Sequence, residues 1–175
     1  LQNVYLRANN QNITTASVSI NGTSLSVSPA TQSYFGTLPT PVAVGSTLQL
    51  RIEVPEGIIT GEDVVPDVPT ITTPTEGGTK FAGQPIAINW NYSGTDPDRF
   101  VLNFQRLSPF FSSFSLDLPG DTRSYSFPGD LAVAGNAGVF LYAINDGVDN
   151  FTGPVTGDSR LGIQQSASVN FNIIG

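Results

Sequence analysis

The sequence predicts an all-β fold, and three observations support this prediction. Of its 175 residues, 39% are hydrophobic and 10% are aromatic, which is too apolar for a disordered chain. The 18 glycines and 13 prolines interrupt the chain too often for long helices. Between them, apolar and polar side chains alternate over short runs, which is the pattern of strands with one buried face. We expect two tandem β-sandwich domains and no helix.

The first third of the chain contains a predicted β-hairpin. Apolar residues alternate with serine over residues 16–20, and the alternation resumes at Leu25 and Val27. Asn21 and Gly22 lie between the two runs. An Asn-Gly pair between alternating runs favours a type I′ turn, because both residues accept positive φ angles.

The next segments contain the clearest strand and the predicted domain boundary. Residues 47–54 alternate strictly between apolar and polar side chains, as in a half-buried strand. Residues 64–78 then carry three prolines, which disfavour both a helix and a central strand. We therefore place the boundary near Pro66, with one domain over residues 1–66 and a second over residues 67–175.

The second domain is predicted to contain several short strands around a single tryptophan. Its alternating runs number roughly five to seven, which is the spacing of a β-sandwich. We expect Trp90 to anchor the core. The apolar residues that share a face within each run are Ile86, Ile88 and Trp90; Phe100, Leu102 and Phe104; Tyr125 and Phe127; Val139, Leu141 and Ala143; and Val169, Phe171 and Ile173.

The order of these motifs resembles that of a fibronectin type III module, an immunoglobulin-like β-sandwich. The likeness rests on four segments: Pro69-Thr70-Ile71, Ile86-Ala87-Ile88-Asn89-Trp90, Arg123-Ser124-Tyr125-Ser126-Phe127, and Tyr142-Ala143-Ile144-Asn145 before Gly147. Ala137 stands where that family usually carries a tyrosine. The resemblance implies a spacer, adhesion or accessory module of extracellular proteins and no catalytic residue. Residues 1–66 resemble immunoglobulin-like modules only generically.

The composition removes most common enzyme chemistry. The chain has no histidine and no cysteine, and Lys80 is its single lysine. The usual general base, the thiolate nucleophile and the preferred zinc ligands are therefore missing. We expect a protein that is not an enzyme.

The net charge and the first residue of the chain indicate where the protein is located and which partners it has. The net charge of −7 disfavours nucleic acid and anionic membranes as partners, and no apolar run is long enough to span a bilayer. The absence of methionine, including at position 1, favours a processed and exported chain. We expect a secreted or cell-surface protein, bacterial in type, that meets a protein or polysaccharide at the cell surface.

An acidic segment near the end of the chain is a candidate calcium site. Asp146 and Asp149 lie in one predicted turn, and Asp158 follows downstream. Calcium prefers several oxygen ligands, although the segment lacks the spacing and the closing glutamate of an EF-hand. A solvated turn explains the same residues, so no cofactor is predicted and calcium stays an alternative.

Aromatic residues between two predicted strands are the main binding candidates. Phe110, Phe111 and Phe114 follow Pro109 in a segment where a loop would normally be polar. Tyr142 belongs to a run in which both strand faces are apolar, so its outer face needs a cover. Packing of these rings within the protein is the alternative to a binding surface.

We therefore expect a non-catalytic structural or adhesive module. The alternative is a carbohydrate-binding module, in which Tyr34, Phe110 or Phe111 would stack on sugar rings. A third possibility is a glycosidase that works with two carboxylates and needs no histidine.

Overall fold

The computed structural model describes residues 2–4, 7–8, 11–147, 151–153 and 161–175. These residues form an all-β protein, and the only helical element among them is a turn of 3-10 helix at Gly129–Leu131. No helix in the described part is long and apolar enough to cross a membrane. The predicted fold class is confirmed.

Eighteen strands are described. In chain order they are β1 (Gln2–Val4), β2 (Arg7–Ala8), β3 (Gln11–Asn12), β4 (Ser17–Ile20), β5 (Thr23–Ser24), β6 (Ser26–Ser28), β7 (Ser33–Gly36), β8 (Thr47–Val54), β9 (Gly57–Val64), β10 (Thr70–Thr73), β11 (Gly78–Phe81), β12 (Ile86–Asn91), β13 (Arg99–Arg106), β14 (Ser112–Pro119), β15 (Ser124–Phe127), β16 (Gly135–Gly147), β17 (Phe151–Thr152) and β18 (Leu161–Ile174).

By their contacts these residues divide into two compact units. The first comprises Leu1–Val65 with Asp146–Gly162, and the second comprises Pro66–Asn145 with Ile163–Gly175. The first unit thus takes in residues 146–162, which the sequence analysis assigned to the second domain. That each unit is an independent domain stays a prediction.

The first unit contains two main sheets. Their strand orders are β1-β7-β6 and β17-β9-β8-β4-β5, and a separate short pair joins β2 and β3. Strand β8 covers the predicted residues, and Leu48, Leu50 and Ile52 are buried along one face. The strict alternation of this segment therefore identified both the strand and its buried side.

The predicted Asn-Gly turn joins β4 to β5. Asn21 and Gly22 have φ angles of 47° and 76°, as a type I′ turn requires, and Ile20 pairs with Thr23. The Asn21 side chain also accepts a hydrogen bond of 2.7 Å from the N–H of Gln49. The turn is thereby tied to β8.

The alternation after this turn does not continue in one strand. Leu25 is buried, whereas Val27 is 36% exposed and lies on β6, in the other sheet. The chain changes sheets at Leu25, whose N–H donates to the carbonyl of Val18. The alternation at Leu25 and Val27 therefore does not mark one strand with a single buried face.

The second unit has two sheets in a β-sandwich-like arrangement. One has the order β10-β12-β15, and the other has the order β11-β18-β16-β13-β14. Strand β11 pairs with β18 in parallel, whereas the pairings β10-β12, β12-β15, β13-β14 and β13-β16 are antiparallel. Strands β10 and β11, which are neighbours along the chain, therefore join different sheets. Strand β10 lies at an edge between Pro69 and Pro74, as expected for a proline-flanked strand.

One buried cluster fills the space between these two sheets. Trp90 on β12 is 2% exposed, as predicted, and its ring meets that of Phe100 edge-on at 5.5 Å. Phe104 and Phe127 make a second ring contact across the sheets at 5.2 Å. Apart from Ala132 and Ala137, the other buried members come from the predicted faces: Ile86, Ile88, Leu102, Val139, Leu141, Ala143, Val169, Phe171 and Ile173.

Candidate functional site

Two phenylalanines are exposed at the loop between β13 and β14 in the second unit. Phe110 is 75% exposed and Phe111 is 69% exposed. Large apolar side chains rarely stay in water at this level on a structured loop without a packing or binding role. We call residues 107–111, together with these two rings, the phenylalanine loop.

Hydrogen bonds fix the backbone of the phenylalanine loop on both sides. Arg106 Nε donates to the carbonyl of Phe110 at 3.0 Å. The N–H of Leu107 donates to the carbonyl of Asn136 at 2.7 Å, and the N–H of Asn136 donates to Ser108 Oγ at 2.8 Å. The two rings are therefore presented to solvent by a backbone that is held in place.

The other two binding candidates lie elsewhere. Phe114 on β14 is 43% exposed, and its ring meets that of Phe127 edge-on at 5.8 Å, so it packs partly on the core. Tyr142 is half-buried on β16 and pairs with Val101, toward the end of β13 away from the phenylalanine loop. The structure thus brings Phe110 and Phe111 together and leaves Tyr142 apart from them.

More apolar side chains are exposed at the same end of the second unit. Phe81 is 62% exposed, and it pairs with Ile174, which is also exposed. The N–H of Gly83 donates to the carbonyl of Ala132 at 2.9 Å, which brings these strand ends to the turn that precedes β16. Sequence reasoning missed Phe81 and Ile174, because their pairing is parallel and long-range.

A cleft of about 200 Å³ opens beside the phenylalanine loop. Three amide side chains and one carboxylate belong to its lining, next to Leu107 of the loop. The full lining is Glu76, Gly77, Leu107, Asn136, Ala137, Asn170, Phe171 and Asn172.

No protein-family model and no curated protein match this sequence.

The first unit has a larger cleft of about 640 Å³. Its residues come from β8, β9 and β17, and the hydroxyls of Thr60 and Thr152 lie 2.6 Å apart across two of these strands. The Phe151 ring lies against Gly61, which has no room for a side chain. The lining is Gln49, Leu50, Arg51, Thr60, Gly61, Glu62, Phe151 and Thr152.

The calcium candidates are only partly described. Asp146 is half-buried near the end of β16, whereas Asp149 and Asp158 lie outside the described residues. Among the described residues, no group of three or more acidic, histidine or cysteine side chains is placed to hold a metal ion. The calcium site stays a prediction.

Several carboxylates of the described part are paired with arginines. Glu53 lies 3.0 Å from Arg51, and Asp117 lies 2.6 Å from Arg99. Asp96 pairs with Arg123. These exposed pairs neutralise carboxylates locally, and each contributes little to stability.

The Arg123 side chain also lies beside a tyrosine with an altered pKa. Its guanidinium lies 5.5 Å from the Tyr92 ring, and the Tyr92 hydroxyl accepts the N–H of Asp67 at 2.8 Å. Burial raises the pKa of Tyr92 above its ordinary value of 10.0, because the phenolate would lose solvation. This cluster fixes the chain where the second unit begins.

Proposed function

We propose that this chain is a non-catalytic structural or adhesive module of a secreted or cell-surface protein, bacterial in type. The observation that carries the proposal is the pair of exposed rings, Phe110 and Phe111, on a backbone fixed by hydrogen bonds. Preorganised aromatic side chains bind with a small loss of conformational entropy. The phenylalanine loop is therefore the proposed adhesive surface.

The resemblance to fibronectin type III modules supports the same function. Trp90 is buried on β12, the third strand of this unit in chain order. Proteins with this architecture commonly serve as spacers or adhesion modules, although a fold alone does not fix a function. The site residues, rather than the fold, therefore have to be tested.

The composition narrows the proposed partner. A net charge of −7 opposes contact with nucleic acid, and a surface with few charges suits an uncharged or mixed partner. We propose a protein or a polysaccharide at the cell surface as the partner.

A carbohydrate-binding module is the second candidate, and the cleft beside the phenylalanine loop favours it. Sugar sites combine aromatic rings, which stack on the pyranose faces, with amides and carboxylates that bind the hydroxyls. Asn136, Asn170, Asn172 and Glu76 supply the polar groups at this cleft. Tyr34 does not take part in this alternative, since it is 1% exposed and its hydroxyl accepts the N–H of Ala16.

The experiment compares adhesion of coated beads. Beads carrying the wild-type chain or the Phe110→Ala, Phe111→Ala variant are washed over immobilised collagen, fibrinogen, cellulose, chitin and xylan. We expect the wild type to be retained on at least one of these surfaces and the double variant to lose most of that retention. Phe35→Ala is the matched control, because Phe35 is an exposed phenylalanine of the first unit.

The surface that retains the beads separates the candidates. Retention on a protein layer supports adhesion, and retention on a polysaccharide layer supports the carbohydrate-binding alternative. If the double variant is retained as strongly as the wild type, the phenylalanine loop is not the contact surface. A melting temperature within the error of the wild-type value shows that the variant is folded.

A further inference from the structure

Strand β14 is an unusually long and regular edge. It ends the five-stranded sheet of the second unit and pairs with β13 over all eight of its residues, from Ser112 opposite Arg106 to Pro119 opposite Arg99. No bulge interrupts this register. On its other side, alternate residues direct their N–H and C=O groups away from the sheet.

The other strands that end a sheet in the described part are short. In the second unit, β10, β11 and β15 have four residues each, and in the first unit no such strand exceeds three. Strand β10 has an irregular register, β11 carries Lys80, and Pro128 follows β15. Short length, irregularity, lysine and proline are the features that protect sheet edges from pairing with other chains.

Strand β14 has none of these protections along its interior. Its serines and Phe114 are exposed, and its single charge, on Asp117, is neutralised by Arg99 at 2.6 Å. In the open stretch of β18 before residue 171, the exposed side chains are polar, namely Gln164, Ser166, Ser168 and Asn170, and the small Ala167 is half-buried. Strand β14 is therefore the longest strand that ends a sheet in the described part, and its edge is open to another strand.

We propose that β14 pairs antiparallel with β14 of a second copy of this chain, about a two-fold axis at Ser115. Because this axis is perpendicular to the sheet, each side chain stays on its own face. Even-numbered residues of one copy therefore lie opposite even-numbered residues of the other, and odd-numbered residues lie opposite odd-numbered ones. This register opposes Phe114 to Leu116 and Ser113 to Asp117 of the partner. It also leaves Pro119 unpaired, which matters because proline has no N–H to donate.

The side chains of this register match one another. On one face, the exposed Phe114 gains an apolar neighbour, and on the other face a serine hydroxyl meets a carboxylate. Pairs of this kind stabilise adjacent strands. Seven paired residues bury less area than the roughly 1,200 Å² of a stable interface, so the association is weak and depends on concentration. The inference is independent of the proposed adhesive function.

The first test is the mass in solution by sedimentation equilibrium. We expect the wild type to rise from 18.5 kDa toward twice that mass as concentration increases. Ser115→Lys places two lysines opposite each other at the axis and weakens the dimer about fivefold. Ser126→Lys, the same change on the shorter edge β15, leaves the dimer intact.

The second test uses the absence of cysteine from the chain. In Ser115→Cys the two thiols meet at the axis, where the Cα atoms of opposed residues are about 4.5–5.5 Å apart and within reach of a disulfide. We expect mild oxidation to give a covalent dimer at concentrations where Ser126→Cys stays monomeric.

A wild type that stays at 18.5 kDa at every concentration overturns the proposal. The proposal is also overturned if the Ser115→Lys and Ser126→Lys variants dimerise equally strongly, because the interface then lies elsewhere. Masses that grow beyond two copies contradict the closed two-fold pairing. Crosslinking that is equal at both cysteine positions reports random collision and also overturns it.

Discussion

At the residue scale, Tyr92 links the start of the second unit to its core. Its hydroxyl accepts the N–H of Asp67, and its ring meets that of Phe100 edge-on at 5.4 Å. Because burial raises the pKa of Tyr92 in the folded state, the folded protein holds this proton more tightly than the unfolded chain. The resulting stability is complete below pH 10 and is lost as the pH rises through the folded pKa.

This difference gives a prediction for alkaline pH. We expect the free energy of unfolding to fall above about pH 10 and Tyr92→Phe to make that fall less steep. The variant should also be about 1 kcal/mol less stable at neutral pH, because the N–H of Asp67 loses its acceptor. Urea unfolding at a series of pH values measures both effects.

Tyr125→Phe is the matched control, since Tyr125 is a half-buried tyrosine of the same unit. We expect it to leave the Tyr92 hydroxyl and its hydrogen bond with Asp67 in place. An unchanged slope in Tyr92→Phe would show that the proton of Tyr92 is not linked to folding.

At the element scale, the turn between β4 and β5 depends on one glycine. Gly22 has a φ angle of 76°, where a side chain is strained, although no other atom lies within 4 Å of the position a Cβ would take. We expect Gly22→Ala to destabilise the protein by about 1–2 kcal/mol through backbone strain alone. Guanidinium unfolding followed by circular dichroism measures the difference.

Gly162→Ala is the matched control, because it replaces a glycine at a position without backbone strain. Gly162 also has open space around it, but it lies on β18 and lacks a positive φ angle. We expect this variant to be as stable as the wild type or slightly more stable. Equal losses in both variants would argue against strain at the turn.

Strands were predictable where the signal is local. The alternation in β8 and β12 identifies both the strand and its buried face, because neighbouring side chains point to opposite sides. The change of sheet at Leu25 was not predictable, since alternation says nothing about which strand becomes the partner. The parallel pairing of β11 with β18 was hidden for the same reason.

The candidate site was predictable only in part. The phenylalanines after Pro109 are visible in the sequence, but the contact of Phe114 with Phe127 depends on the fold. Phe81 and Ile174 lie far apart along the chain and become neighbours only through strand pairing. Local patterns therefore found the loop and missed the exposed pair Phe81 and Ile174.

At the scale of the whole molecule, hydrogen bonds fix the chain on both sides of Pro66, where the domain boundary is predicted. Val65 is buried, and its backbone exchanges hydrogen bonds of 2.9 Å with Gly45 and Ser46 in the first unit. Two residues later, the N–H of Asp67 is bound to Tyr92 in the second unit. Proteases need a backbone that can be drawn into the active site, and the hydrogen bonds of Val65 and Asp67 hold this segment in place, although the Val68 side chain is exposed.

We therefore expect limited digestion with thermolysin to leave this segment intact. Thermolysin cleaves before apolar residues, so its first cuts in the second unit should fall at the exposed phenylalanine loop. Mass spectrometry of the early fragments locates the cuts. A variant with Phe110→Ser and Phe111→Ser removes the two most exposed apolar sites of the loop, leaves Leu107, and should still resist between residues 65 and 69. Early cleavage before Val68 would contradict the prediction.

The parallel pair of β11 and β18 has a mechanical consequence. A pull that reaches β11 from its amino end and β18 from Gly175 drives the two strands in opposite directions along their length. The interstrand bonds of the four register pairs, Gly78 with Phe171 through Phe81 with Ile174, lie roughly across that direction. The bonds share the force and must break together, so we expect the pairing of β11 with β18 to resist tension.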